Sequence, residues 1–232
     1  MKRSQINANI AQAEEDFAKV GFALPSFASW TLEDWEKQGD AARYLIEAGH
    51  GWDITDFGGD EFDAKGLLLF TLRNGLLREA AGNKPYAEKI MITRKDQLTP
   101  MHRHNIKVED IIVRNSLVPG AQLAVKVLGS NPEGKLSRTG KVRVFLDGIA
   151  GEVDPGTVIR LSPGESITLF PDTFHSFWGD GGDMVVGEVS SVNDDKSDNV
   201  FAEPLARFSP VEEDEAIYRP LVNDHPDSAG GY

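Results

Sequence analysis

Two histidines separated by one residue, His102 and His104, are the feature that most constrains the fold of this chain. Alternate residues of a β-strand point to one face of a sheet, whereas on a helix the same side chains would diverge by roughly 200°. The pair therefore predicts a strand. Glu109 follows His104 by an odd number of residues, so an unbroken strand would turn it to the opposite face. A turn through residues 105–107, which begins with a turn-tolerant asparagine, would place Glu109 on a neighbouring strand instead.

A third histidine lies far downstream, where His175 ends an aromatic, strand-like segment at positions 170–175. The chain holds only five histidines, and three of them fall in this set. A single histidine is usually structural, but three imidazoles and a carboxylate together are a plausible ligand set for a divalent transition metal. Four such ligands leave two positions open on an octahedral ion and none on a tetrahedral one. This count favours Mn²⁺, Fe²⁺, Co²⁺ or Ni²⁺ over zinc.

The charge balance and the lack of cysteine exclude several classes of protein. Lysine and arginine number 24 against 37 acidic residues, a formal net charge of −13. Such a surface repels phosphate backbones and anionic membranes, so we expect no nucleic-acid or membrane partner. A chain without cysteine has neither disulfides nor thiol catalysis. Because the amino terminus lacks the apolar run of a signal peptide and no segment reaches membrane-spanning length, the sequence predicts a cytoplasmic protein.

Helical periodicity is confined to the first part of the chain. Apolar residues recur at helical spacing between positions 3 and 20, which predicts an amphipathic helix. Thr31 followed by Asp34 resembles an N-cap, so one or two further helices are expected over positions 32–48, interrupted near Gly39. The glycine-rich residues 51–59 predict a turn-rich connection. We expect the helices to cover one face of a sheet.

After residue 60 the apolar pattern changes to the alternation typical of strands, broken by turn signals such as those at positions 73–75 and 162–164. Strands are predicted over 67–72, 86–92, 108–113, 121–128, 141–146, 157–161, 166–170 and 184–189. Closely spaced strands without alternating helices predict a mainly β fold, an antiparallel jelly-roll β-barrel with the N-terminal helices packed on it. One domain is expected over 1–232, with a helical extension at 1–60, a barrel core at 61–190 and a C-terminal extension at 191–232.

The chemistry of such a metal site has more than one interpretation. Two adjacent open positions suit the vicinal oxygens O1 and O2 of an open-chain sugar. A metal holding them would acidify the C–H bond between them, which is the basis of aldose–ketose isomerisation. The same positions could bind dioxygen beside a substrate, as in an oxygenase. A third possibility is a sugar-binding protein without catalysis, and the residues alone leave all three open.

Longer segments of the chain identify a family. The spacing of His102, His104, Glu109 and His175 resembles the metal-binding motifs of the cupin superfamily. Over nearly the whole chain the sequence is similar to the D-lyxose isomerases within it. The similar segments are GWDITDFG at 51–58, LLLFTLRNG at 67–75, YAEKIM at 86–91, TPMH at 99–102, VNDD at 192–195 and the pair Glu203-Pro204.

The resemblance implies an activity, a cofactor and a set of residues. It implies a cupin barrel that binds Mn²⁺, works as a homodimer and interconverts D-lyxose with D-xylulose, and D-mannose with D-fructose. The implied metal ligands are those same three histidines and Glu109. Lys89 and Glu203 are the implied proton-transfer residues. Asp194 and Trp178 are expected to contact the hydroxyls and the face of the sugar.

Overall fold

The computed structural model describes residues 1–77, 84–195 and 197–225, and its helices lie at the N-terminal end. They are α1 (Arg3–Lys19), α2 (Leu32–Gln38) and α3 (Arg43–Glu47), with 3₁₀ turns at Ser26–Ser29 and Gly39–Ala42. The predicted cap is confirmed, since the Thr31 hydroxyl accepts a hydrogen bond from the Asp34 backbone N–H at 3.2 Å. Gly39, with φ +50°, ends α2 where the interruption was predicted. No described helix is long and apolar enough to cross a membrane.

Strands are the main regular structure of the described chain after residue 50. They are β1 (Gly51–Thr55), β2 (Leu67–Arg73), β3 (Tyr86–Thr93), β4 (Thr99–His104), β5 (Glu109–Ser116), β6 (Gln122–Ser130), β7 (Leu136–Ser137), β8 (Val142–Leu146), β9 (Ile149–Val153), β10 (Val158–Leu161), β11 (Ser166–Leu169), β12 (Phe174–Asp180), β13 (Met184–Ser191) and β14 (Asn199–Phe201). All eight strands predicted from the alternating pattern are present.

The strands form two curled antiparallel sheets. The larger has the order β1-β2-β3-β13-β5-β11-β8-β9 and the smaller the order β10-β6-β12-β4-β14, with β7 added beside β6. Side chains from the inner faces of both sheets meet in one apolar core, which includes Met91 and Ile111 of the larger sheet and Val125 and Phe177 of the smaller. The mainly β, cupin-like barrel predicted from the sequence is thereby confirmed.

The outer face of the larger sheet is covered by α1. Its buried apolar stripe, Ile6, Ile10, Ala13 and Phe17, packs in one cluster with strand residues such as Phe70. Burial of each large side chain contributes about 1.5–3 kcal/mol, so this face holds the helix firmly. The expectation that helices cover a sheet face is confirmed.

The segment predicted as a turn-rich connection contains a strand. β1 begins at Gly51 and pairs with β2, and all five of its residues are buried. Apolar Trp52 and Ile54 alternate with polar residues, but this pattern is short and lies in a glycine-rich segment that predicts turns. Asp53 is buried beside Arg207. β9 also escaped prediction, since it is a largely exposed edge strand with a glycine at its centre. Residues 226–232 of the predicted C-terminal extension lie outside the described chain.

Candidate metal centre and sugar site

The three predicted histidines meet inside the barrel. His102 on β4 pairs in register with His175 on β12, and their ring centroids are 4.2 Å apart. His104 lies two residues along β4 on the same face, with ring centroids 5.2 Å from His102 and 5.7 Å from His175. One nitrogen of each ring lies within 4.8 Å of the other two. The strand predicted for the pair is confirmed, and antiparallel pairing brings in the distant histidine.

Glu109 reaches the histidines from the opposite sheet. β4 ends at His104 and β5 begins at Glu109, so the predicted turn at residues 105–107 is present and carries the chain from the smaller sheet to the larger. Glu109 Oε1 lies 3.0 Å from His175 Nε2 and 3.3 Å from His104 Nε2. The four predicted ligands thus converge from both sheets.

The ring and carboxylate atoms that converge are hydrogen-bond acceptors that face no donor. His102 Nδ1 lies 2.8 Å from the Pro100 carbonyl and His175 Nδ1 lies 3.2 Å from the Thr173 carbonyl. A carbonyl only accepts, so both rings carry their hydrogen on Nδ1 and leave Nε2 free to bind. Within the described chain, His175 Nε2, His104 Nε2 and Glu109 Oε1 are buried and make no hydrogen bond.

These atoms fit a bound cation. Buried acceptors that face one another are costly unless a positive charge lies between them. Two ligands about 2.1 Å from one ion and at right angles are about 3.0 Å apart. The measured 3.0 and 3.3 Å agree with that spacing. Imidazole and carboxylate ligands suit a divalent transition metal.

Lys107 holds the other oxygen of Glu109. The buried Lys107 ammonium lies 2.8 Å from Glu109 Oε2 and 2.8 Å from Glu188 Oε1. Burial alone would raise the pKa of Glu109, but Lys107 and His104 outweigh it and hold that pKa well below its usual range. Glu109 therefore stays ionised, with one oxygen anchored and the other directed at the histidines.

A second buried lysine lines the same space. Lys89 on β3 pairs in register with Glu188 on β13, and its ammonium donates to Asn193 Oδ1 at 2.7 Å. It also lies 3.6 Å from Glu188 Oε1 and 3.5 Å from Asp195 Oδ1. Burial would raise the pKa of Asp195, but Lys89 and Arg207 outweigh it and keep that pKa well below normal.

Arg207 closes this network at its far side. One Nη2 contacts both Asp53 and Asp195, the latter at 2.9 Å, while Nη1 is buried without a hydrogen-bond partner among the described residues. Buried carboxylates on both sides raise the pKa of Arg207 against the opposing effect of burial. The guanidinium is therefore a permanent cation.

A narrow cavity opens over the histidines, and about 40 Å³ of it admits the centre of a water-sized sphere. The four predicted ligands and Lys89 line it. The other lining residues combine apolar side chains, among them Phe57, Leu69, Met91 and Phe201, with charged and polar ones, Lys107, Glu188, Asp195, Asn199 and Arg207.

Three predicted site residues lie away from this cavity. Glu203 is exposed and is not among the residues that line it. Asp194 accepts a hydrogen bond from the Ser197 hydroxyl at 2.5 Å, and its neighbour Asp195 lines the cavity instead. Trp178 is half-buried on β12, and its neighbour Phe177 is the lining residue. Their roles stay predictions from the resemblance.

Several residues of the site were not predicted. Glu188 carried a local signal, because it is a lone carboxylate in the otherwise apolar segment 184–189. A charge in a buried strand requires a partner, and such charges concentrate at functional sites. Lys107 and Arg207 each stand between two apolar residues, but no strand was predicted at either position, so burial of their charge could not be inferred.

Comparison with known proteins identifies a family for this chain. The D-lyxose isomerase family model matches residues 1–225. The D-lyxose/D-mannose isomerase of Serratia proteamaculans is 45% identical over 222 residues, which cover 93% of each chain. The D-lyxose/D-mannose isomerase of Escherichia coli O157:H7 is 42% identical over 228 residues, covering 97% of this chain and 98% of that one.

Solved structures share the fold at lower identity. Cellulomonas parahominis L-ribose isomerase, determined with L-psicose, superposes with a TM-score of 0.59 at 14% identity, covering 91% of this chain and 98% of the other. Acinetobacter sp. DL28 L-ribose isomerase, in complex with L-ribose, gives 0.58 at 15% identity with the same coverage. Identity this low supports the barrel fold alone. The family match and the curated relatives, in contrast, extend over nearly the whole chain, so the protein is an aldose–ketose isomerase and belongs to the D-lyxose isomerase family.

Proposed function

We propose that the protein is a metal-dependent isomerase that interconverts D-lyxose with D-xylulose, and D-mannose with D-fructose. The reaction moves a hydrogen from C2 to C1 and a proton from O2 to O1, so it needs no external oxidant. Both relatives at above 40% identity are named D-lyxose/D-mannose isomerase. The substrates of this chain are inferred from those names and from the family.

One observation carries the metal dependence. Three imidazoles and Glu109 converge in a buried cavity. His104 Nε2, His175 Nε2 and Glu109 Oε1 are unpartnered there, and Glu109 Oε1 lies 3.0 Å from His175 Nε2. We propose His102, His104, Glu109 and His175 as the ligands and Mn²⁺ as the physiological ion, with Co²⁺, Fe²⁺ or Ni²⁺ able to replace it. When bound, such an ion would polarise the sugar oxygens and acidify the C–H bond between them.

The chain itself supplies proton donors and acceptors near the ligands. The Lys89 ammonium lines the cavity and can donate to a sugar oxygen, which agrees with its predicted part in proton transfer. Removal of hydrogen from carbon needs a base, and Glu203 is one of the two proton-transfer residues that the resemblance implies. Glu188 is the buried carboxylate that lines the cavity beside Lys89, which makes it a second candidate for the base.

Isomerisation in deuterated water tests the activity directly. Protein loaded with Mn²⁺ is incubated with D-lyxose or D-mannose under nitrogen and followed by NMR. We expect the matching ketose to form without oxygen, with deuterium from solvent incorporated at C1. Treatment with EDTA should abolish the reaction, and added Mn²⁺ should restore it.

Two controls separate the proposal from its alternatives. Glu109→Gln removes a proposed ligand and should abolish turnover, whereas Lys135→Gln changes an exposed loop and should not. Full turnover in the EDTA-treated protein would contradict metal dependence. Binding of the sugars without conversion or exchange would contradict the proposed substrates.

The setting of the enzyme is also proposed. The family resemblance implies a homodimer, which sedimentation would test. The sequence predicts a cytoplasmic location, and fractionation of cells would check it.

A further inference from the structure

Asp198 lies directly before β14, the edge strand that pairs with β4, and only 4% of its surface is exposed. Its carboxylate accepts three consecutive backbone N–H groups. Oδ1 accepts from Asn105 at 3.0 Å and from Ile106 at 2.8 Å, and Oδ2 accepts from Lys107 at 3.2 Å. One side chain therefore satisfies the three backbone N–H groups of residues 105–107, between β4 and β5.

This turn joins His104 to Glu109, two proposed metal ligands that are close in sequence. His104 precedes it on the smaller sheet, and Glu109 follows it on the larger. No β4–β5 ladder fixes their relative position, because the two strands belong to different sheets. The hydrogen bonds to Asp198 thus help to set the 3.3 Å between His104 Nε2 and Glu109 Oε1.

Asp198 also faces the imidazole itself. Its Oδ2 lies 3.5 Å from His104 Nδ1, and no described residue offers that nitrogen a shorter hydrogen bond. The separation is longer than a strong hydrogen bond, so the contact is mainly electrostatic. Glu109 lies 3.3 Å from Nε2, so the two carboxylates compete for the hydrogen of the ring. With a cation between Nε2 and Glu109, the carboxylate of Asp198 favours hydrogen on Nδ1 and leaves Nε2 free to bind that cation.

We propose that Asp198 is the positioning residue for His104. It fixes the tautomer and orientation of the ring and pins the turn that carries Glu109, and so raises the affinity of the site for a divalent metal ion. This inference rests on the metal centre proposed above. It goes beyond that proposal by assigning a role in ligation to a residue of the C-terminal segment.

Two substitutions separate positioning from a merely structural role. Asp198→Asn keeps one oxygen for the turn but places an amide NH₂ or a weaker neutral acceptor near His104 Nδ1. With NH₂ in that place, the ring must accept on Nδ1 and carry its hydrogen on Nε2, which prevents ligation. Asp198→Ala removes the hydrogen bonds to the turn but imposes no tautomer. A structural role alone therefore predicts that alanine is worse in every measurement.

The measurements are the tautomer of His104 and the affinity for Mn²⁺. Long-range ¹H–¹⁵N spectra of the full metal-free chain report which ring nitrogen carries hydrogen, and Glu109→Ala in every protein compared removes the competing carboxylate. In that background we expect Nδ1–H when residue 198 is Asp and Nε2–H in Asp198→Asn. By titration calorimetry, the Kd for Mn²⁺ should rise about 10–100-fold in Asp198→Asn, at least as much as in Asp198→Ala. Urea unfolding should show the smaller loss of stability for asparagine.

Asp172→Asn is the matched control, because it neutralises an exposed aspartate in the loop between β11 and β12. It should leave both the His104 tautomer and the Mn²⁺ affinity unchanged. An Asp198→Asn protein with the wild-type tautomer and wild-type Mn²⁺ affinity would overturn the inference. If the wild type itself binds no Mn²⁺, the proposed metal centre fails, and the spectra of the metal-free chain still show whether Asp198 sets the tautomer.

Discussion

The protein buries charge in two places that look alike by composition but differ in how the charges are paired. The first is a tail clamp, defined as Arg3 of α1 with Glu213 and Asp224 of the C-terminal segment. The Arg3 side chain is fully buried and donates to Glu213 at 2.7 and 2.9 Å and to both oxygens of Asp224 at 2.9 Å. Four of its five N–H groups are thus matched by two carboxylates.

The second place is the cavity cluster, defined as Lys89, Lys107, Glu109, Glu188, Asp195 and Arg207. Here the pairing is incomplete. Glu109 Oε1 and Arg207 Nη1 are buried without hydrogen-bond partners among the described residues, and the Nε2 atoms of His104 and His175 beside them are also unpartnered. An incomplete buried network is costly, so it persists where a ligand completes it. Buried charge alone therefore does not mark the site, whereas converging unsatisfied atoms do.

The largest effect is expected from a charge of the cavity cluster that the metal does not use. Glu188→Gln removes a candidate base while Lys107 keeps its contact with Glu109. A positioned base contributes about 10²–10⁴-fold to rate, so kcat for D-lyxose should fall within that range while Mn²⁺ affinity changes little. Steady-state kinetics and calorimetry on the same preparation measure both quantities.

Glu203→Gln is the companion variant, because the resemblance implies that Glu203 takes part in proton transfer. That prediction requires an equally large fall in kcat. Wild-type turnover in Glu203→Gln would contradict it and leave Glu188 as the base. Wild-type turnover in Glu188→Gln would instead remove Glu188 from the chemistry.

The tail clamp should respond in stability rather than in rate. Arg3→Met leaves Asp224 partly buried without its cation, and loss of one partner of a buried ion pair costs about 3 kcal/mol. Urea unfolding should show this loss, while kcat of the folded enzyme stays unchanged. Lys2→Met is the control, because the Lys2–Glu212 pair is exposed at 3.8 Å and contributes less than about 0.5 kcal/mol. If fully folded Arg3→Met has a lower kcat than the wild type, the tail clamp also affects catalysis and the two regions do not differ as proposed.

Much of this architecture follows from local rules. The two-residue period of strands placed His102 and His104 on one face, and the odd spacing to Glu109 required the turn that the structure contains. The period of α1 and the cap at Thr31 are equally local. These features depend on residues close in sequence, so one chain is enough to predict them.

The rest depends on pairing between distant segments. The role of Lys107 depends on its contact with Glu188, 81 positions away. The role of Asp198 depends on its hydrogen bonds to the turn at residues 105–107. β1 was missed because its short pattern lies among glycines, and the burial of its charged Asp53 depends on Arg207, 154 positions away. Local periodicity does not show which distant residues will be partners, so the residues that surround the ligands could be identified only from the structure.

The smallest effect is expected at His50, a buried histidine outside the cavity, and it tests whether burial alone distinguishes the cavity histidines. His50 is 2% exposed among the rings of Phe27 and Tyr44, and its Nε2 accepts from the Asn74 backbone N–H at 3.2 Å. Burial, followed by the charge of Lys84, lowers the pKa of His50 to about 4. An unfolded histidine titrates near 6.5, so between these values the unfolded chain binds more protons and stability falls as pH falls.

His50 should therefore cost the fold about 2 kcal/mol between pH 7.5 and pH 5, on top of the losses from other groups. Urea unfolding of the metal-free protein at both pH values measures the total, and His50→Gln, which cannot titrate, should lose about 2 kcal/mol less than the wild type. Equal losses in the two proteins would show that His50 is not held neutral by burial. Like the cavity histidines, His50 has an unpartnered nitrogen, but this Nδ1 carries the hydrogen of the ring, because Nε2 accepts, and it stands alone among aromatic rings. Metal binding requires several such atoms directed at one point, and His50→Gln should accordingly leave Mn²⁺ affinity unchanged.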